Sequence, residues 1–190
     1  QREQIINEMR NEMSNALDAV MLKLSQDSPL KTRKDVLILA SIVEKEAGND
    51  SERSKIASVF INRLKKGMKL QADPTTIYAI TLGKRKFERP LKRKDLKIES
   101  SYNTYYVHGL PIGAISCPSR ASLEAVVSPA KTDYIYFVVN GCGGHNFAKT
   151  LQEHNKNIKI FKERKMRKKT IAETLIDLYY LWYLQTVCVS

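Results

Sequence analysis

Apolar residues recur every three or four positions through the first third of the chain, and this spacing predicts helices. Over residues 3–24, Ile6, Met9, Met13, Leu17, Val20, Met21 and Leu24 fall on one face that seeks a partner. A polar connector with Pro29 follows, through residue 33. Asp35 is a candidate cap for a second helix running to Ala47, with Val36, Leu39, Ala40, Val43 and Ala47 as its inner stripe. Gly48-Asn49-Asp50 ends it, and Asn49 with Glu52 has capping-box spacing ahead of a third helix carrying Ile56, Val59, Phe60 and Leu64. Gly67 stops that helix.

Further on the pattern shortens. Residues 70–72 read as extended, and Asp73-Pro74 reads as a cap followed by proline at the first position of a short helix. Residues 81–101 are basic and irregular, 102–107 are β-like, 109–113 a turn and 119–127 a short helix. Residues 134–140 form the clearest strand, ended by Gly141-Cys142-Gly143-Gly144 and followed by a helix over 148–161. The expected fold is α+β, helices packed on a small, mainly antiparallel sheet. Its cleft would lie between the second helix and strands at 102–105 and 134–147. Residues 171–189 are apolar, but Glu173, Asp177 and Gln185 interrupt them, which favours a buried or interfacial helix over a membrane span.

Composition changes this picture little. The 190 residues include 43% hydrophobic and 27% charged positions, enough for a real core. The formal charge of +12, concentrated in 84–97 and 162–169, admits nucleic acid, anionic lipid or another anionic polymer as partner, although such runs are commonly solvated faces. Cys117, Cys142 and Cys188 fit neither a disulfide framework nor a zinc site. The chain starts without Met and enters a helix at once, as an excised fragment would.

Two glutamates close the apolar second helix, in Ile42-Val43-Glu44-Lys45-Glu46-Ala47. A carboxyl in apolar surroundings keeps its proton to higher pH, as a general acid requires. Residues two apart on a helix point about 200° from each other, so Glu44 and Glu46 cannot share a proton. Glu46 lies beside Leu39 and Ile42, Glu44 beside Leu37 and Ala40, and periodicity does not choose between them. Gln71 and Asp73 are placed to reach a hydroxyl-rich ligand, although Asp73 also suits a helix cap. Tyr102-Asn103-Thr104-Tyr105 combines flat apolar bodies with polar tips, as sugar rings require, or equally makes an ordinary strand. His145 stands in a glycine-rich loop with no second ligand at metal spacing, and His154 matches no metal motif.

The order of these segments is more telling than any one of them. S-I-V-E-K-E-A, S-E-R-S-K-I-A-S-V-F-I-N-R-L, G-M-K-L-Q-A-D-P-T, Y-N-T-Y, G-L-P-I-G-A-I, P-A-K-T-D-Y-I-Y-F-V and G-G-H-N-F resemble the endolytic murein transglycosylase family, also called YceG-like, across about residues 35–160. The resemblance implies cleavage within peptidoglycan glycan strands, leaving 1,6-anhydro-muramyl ends, with no cofactor and no metal. It places the catalytic glutamate at Glu46, with Glu44 as the alternative. Gln71, Asp73, Tyr102, Asn103, Thr104, Tyr105, His145 and Phe147 would line the glycan cleft. Cys117 and Cys142 depart from the family pattern. The implied organisation is an N-terminal helix and connector (1–33), a YceG-like catalytic domain (34–162), and a basic linker with an apolar tail (163–190). By the same resemblance the parent protein would be membrane-anchored upstream, facing the periplasmic side of the bacterial inner membrane, with cell-wall synthesis proteins as partners. The nearest rival is a hydrolase using Glu46 with Asp73. A basic nucleic-acid-binding module is more remote, since no nucleic-acid motif is present. An older lyase label carried by some relatives would need a pyridoxal-phosphate lysine, and no lysine here has a phosphate-binding context.

Overall fold

The computed structural model describes residues 1–167, which fall into two compact units, Gln1–Ile135 and the residues from Tyr136 on. The first unit is helical: α1 (Arg2–Met21), α2 (Arg33–Glu46), α3 (Arg53–Lys65), α4 (Asp73–Thr81) and α5 (Arg120–Val127). The second holds strands β1 (Tyr136–Val139) and β2 (His145–Ala148), then a helix, α6, over 151–167. The class is α+β, as the patterning predicts.

Helix α2 is the centre of the first unit and packs against α1, α3, α4 and α5. Its Val36, Leu39, Ala40, Ile42 and Val43 are fully buried, facing Ile56, Val59 and Phe60 of α3 and Leu123 and Val126 of α5. Each large apolar side chain so buried contributes about 2 kcal/mol. Thr32, not Asp35, is the N-cap of α2. Asp35 is the third helical residue and completes a capping box, its carboxylate accepting from the Thr32 and Lys31 N–H groups at 2.9 and 3.0 Å. Asn49 makes no capping bond; residues Asp50–Glu52 form a 3-10 turn leading into α3.

Four other expectations change. Residues 102–107 are turns without strand pairing, because their polar groups are spent on local bonds described below. Residues 70–72 are not extended throughout: Gln71 is left-handed, with φ +52°. His145 lies in a strand, not a loop, and α6 begins at 151 because Thr150 and Glu153 cap each other's backbone, Glu153 N–H donating to Thr150 Oγ1 at 3.2 Å. The basic run from Lys162 continues α6 to residue 167, and the apolar stretch 171–189 lies outside the described residues.

In the second unit β1 and β2 pair antiparallel, with Phe137 opposite Phe147 and Val139 opposite His145. Asn140 Oδ1 accepts from the N–H groups of Cys142 and Gly144, closing the glycine-rich hairpin turn. Among the described residues no helix is long and apolar enough to cross a membrane.

Candidate active site

The two carboxyls of α2 meet opposite fates. Glu44 Oε2 accepts from the Ser119 N–H at 3.0 Å, the Ser119 hydroxyl at 2.6 Å, the Ser122 hydroxyl at 2.7 Å and Arg53 Nη1 at 3.0 Å. Burial opposes its charge, but the bonds from Ser119 and Ser122 and the Arg53 guanidinium outweigh that and bring its pKa to about 2. Glu44 is thus an ionised clamp near neutral pH at the N-terminus of α5, where a negative charge is also favoured by the helix dipole.

Glu46, the last residue of α2, has no such partners among the described residues. Burial pushes its carboxyl up to about 8, and the charge of Asp73 adds to the effect. The position helps: carbonyl oxygens crowd a helix C-terminus and disfavour a second negative charge there. Near neutrality Glu46 is therefore a protonated acid.

Asp73 opens α4 but is not its cap, which is Ala72 and makes no side-chain bond. Its Oδ1 instead accepts from the Tyr105 hydroxyl at 2.7 Å. Burial, that bond, and the charges of Asp73 and Glu46 push the Tyr105 hydroxyl up against the opposing pull of Arg63, so it remains a donor at every ordinary pH. Glu46, Asp73 and Tyr105 hence form one electrostatic cluster.

Asn103 and Thr104 hold that cluster up rather than line it. Both are fully buried. Asn103 Oδ1 accepts from the Thr76 hydroxyl at 2.8 Å and Tyr105 N–H at 3.1 Å, while its Nδ2 donates to the carbonyls of Leu96 and Ile98. Thr104 Oγ1 accepts from Ala72 N–H at 3.0 Å and pairs with the Thr75 hydroxyl at 2.8 Å, and its carbonyl accepts from Gln71 N–H at 3.2 Å. With every polar atom engaged, neither residue has a group to present to a ligand. Tyr102 is half-buried, its ring 4.8 Å from that of Tyr78.

Arg63 escaped sequence reasoning. It is 7% exposed and occupies the inner stripe of α3 with Ile56, Val59 and Phe60. A lone arginine at an apolar-stripe position was the available signal. Its Nε donates to the Ile135 carbonyl at 2.6 Å, and Nη1 to the carbonyls of Lys69 and Leu70 and to Gln71 Oε1 at 3.2 Å. Gln71, exposed, holds a left-handed backbone that costs a non-glycine residue about 1 kcal/mol.

His145 and Phe147 belong to the second unit, where they form an aromatic cluster with Phe137, the Phe137 and His145 rings meeting edge-on at 5.3 Å. Cys117 and Cys142 are free thiols, and among the described residues no group of histidine, cysteine or carboxylate side chains is fit to hold a metal.

An α+β chain carrying a protonated glutamate, backed by a carboxylate–tyrosine pair, is the class of site present. Residues 1–160 match the YceG-like family, and the chain belongs to it. It is 52% identical over 121 residues, 64% of its length, to an endolytic murein transglycosylase of Bacillus subtilis, and 32% identical over 158 residues, 82% of its length, to one of Streptococcus pneumoniae. Those matches take in 32% and 28% of the two relatives, so the chain spans a third of their length or less. A crystal structure of a yceG-like protein from Listeria monocytogenes superposes with a TM-score of 0.73 and 41% identity, covering 82% of this chain and 49% of that one.

Proposed function

We propose that this chain carries the catalytic centre of an endolytic lytic transglycosylase acting on peptidoglycan glycan strands, with Glu46 as the catalytic acid and base. The observation that carries the reading is the contrast on α2: Glu46 keeps its proton to about 8, whereas Glu44 is ionised, its Oε2 taking bonds from Ser119, Ser122 and Arg53. The names of the Bacillus and Streptococcus relatives support the same reaction.

In this mechanism the Glu46 carboxyl gives its proton to the oxygen joining MurNAc C1 to GlcNAc, and the C1–O bond breaks. The positive charge that develops at C1 is met by the Asp73 carboxylate, held in place by Tyr105. Glu46, now a carboxylate, takes the proton of the sugar's own C6 hydroxyl as O6 bonds to C1. The products are a GlcNAc hydroxyl and a 1,6-anhydro-MurNAc end, and Glu46 has its proton back. No water enters, so one acid–base carboxyl suffices where a hydrolase needs a second to activate water or attack carbon. Holding O6 near C1 also supplies proximity that a free water lacks.

Gln71 and Tyr102 of the first unit would contact the glycan. A peptidoglycan substrate is the reason to propose the extracytoplasmic face of the bacterial membrane as the location, in an anchored parent protein working beside cell-wall synthesis proteins. Glu46→Gln should stay folded and release no anhydro-muropeptides from purified sacculi. Loss of activity in Glu44→Gln with retention in a folded Glu46→Gln would reverse the assignment. Mass spectrometry tests the chemistry separately, since a hydrolytic end is heavier than an anhydro end by one water.

A further inference from the structure

We propose that Arg63 locks the Gln71 side-chain amide with its NH2 group turned to the exposed side, where it reads the acetamido carbonyl of the glycan beside the cleaved bond. The inference rests on the glycan-cleaving reading above and names the group recognised.

The orientation follows from hydrogen-bonding capacity alone. A guanidinium only donates, so the Gln71 atom 3.2 Å from Arg63 Nη1 must be the amide oxygen. The NH2 group then points away from Arg63, on an exposed residue, with no partner among the described residues. Arg63 is itself immobilised by three backbone carbonyls, those of Lys69, Leu70 and Ile135; Nη1 shares its two hydrogens among three acceptors, and a flipped amide would set its NH2 against a group that only donates. The backbone at Gln71 is fixed as well: its N–H donates to the Thr104 carbonyl at 3.2 Å and its φ is +52°. A side chain held in an unfavourable backbone state, with one end anchored and the other free, is built to present that free end.

What it presents is a pair of donors and nothing else. Asp73 follows two residues later and makes the neighbourhood negative, which repels a carboxylate ligand. A neutral group that only accepts is the matching chemistry. Sugar hydroxyls both give and take, and water satisfies them as well. The amide carbonyl of an N-acetyl group only accepts, and among the neutral groups of such a glycan it is the strongest acceptor.

The test is Gln71→Gly, because glycine adopts φ +52° without strain and the variant should melt no lower than the parent. Glycan strands from purified sacculi, before and after chemical N-deacetylation, are the two substrates, with anhydro ends as readout. The parent chain should prefer the acetylated strands by roughly tenfold in kcat/KM, the worth of one good hydrogen bond. Deacetylation leaves a cationic amine that Asp73 attracts in parent and variant alike, so the readout is the ratio: Gln71→Gly should lower the acetylated-over-deacetylated preference by roughly tenfold. Arg63→Lys, which keeps the charge but loses the planar fork, should fall between them; if it does not fold, Gln71→Gly decides alone. A folded Gln71→Gly that keeps the parent's ratio overturns the inference and leaves the reaction untouched. A parent that releases no anhydro ends from either substrate overturns the glycan reading and this inference with it.

Discussion

Glu44 and Glu46 stand two residues apart on α2, one drawn down to about 2 and the other pushed up to about 8. Backbone and helix are the same, and only the surroundings differ: two serines and an arginine at Glu44, burial and a second carboxylate at Glu46. Each therefore contributes to stability over a different pH window.

Glu46 has a raised pKa in the folded protein. The unfolded chain releases this proton near 4.5, the folded chain only near 8. Its stabilising effect is thus complete below about 4.5 and declines as pH rises from there to 8. Glutamine does not titrate, so Glu46→Gln should be more stable than the parent by up to about 3 kcal/mol at pH 7. Thermal melts of the two proteins should coincide near pH 4 and diverge through pH 8. Melts that stay parallel would mean Glu46 titrates normally.

Glu44 has the opposite sign. Its pKa is lowered, so its contribution is present above about 4.5 and disappears as pH falls toward 2. Glu44→Gln should cost about 1–2 kcal/mol at pH 7, the lost shift being reduced by the solvent around the Glu44–Arg53 pair. Denaturant unfolding at pH 7 and pH 3 checks this, the penalty shrinking at the lower pH. Activity should fall only as far as the folded fraction does.

The helices were legible because each carries an apolar stripe at helical spacing, and β1 because Tyr136-Phe137-Val138-Val139 is short, β-rich and followed by glycines. The choice between Glu44 and Glu46 was not legible in periodicity. Ser119 and Ser122 lie seventy-five or more residues downstream, and only the fold brings them to Glu44. Tyr102 to Tyr105 misled in a related way. Tyrosine, asparagine and threonine satisfy strand propensity and sugar chemistry alike, but here Asn103 and Thr104 form a buried hydrogen-bonded knot with Thr75 and Thr76 of α4. Arg63 is illegible in the sequence because a charged residue on an inner stripe reads as a break in the pattern.

That knot gives a prediction about scaffold against ligand contact. Asn103→Ala removes four buried hydrogen bonds, to Thr76, Tyr105, Leu96 and Ile98. At about 1 kcal/mol each, with the partners left unsatisfied, the loss should reach about 4 kcal/mol. The melting temperature should drop accordingly. A variant with unchanged stability but weakened glycan binding would instead make Asn103 a ligand contact.

Asp73 offers the sharpest test of how the acid is kept protonated. Its charge is the second cause of the raised Glu46 pKa, after burial. Removing a neighbouring like charge makes ionisation of Glu46 easier, so in Asp73→Asn its pKa should fall but stay above 4.5, because burial persists. A general acid works only while protonated, so the rate of anhydro-end release should decline as pH rises through about 8 in the parent and at a lower pH in Asp73→Asn. The variant should also be slower at its optimum, by tenfold or more on the scale of one lost electrostatic contact to the developing cation. Its products should still be anhydro ends, since Asp73 activates no water in this mechanism. A pH–rate profile with an unmoved alkaline limb would remove Asp73 from the control of Glu46. A switch between anhydro and reducing ends would make Asp73 part of a two-carboxylate hydrolase.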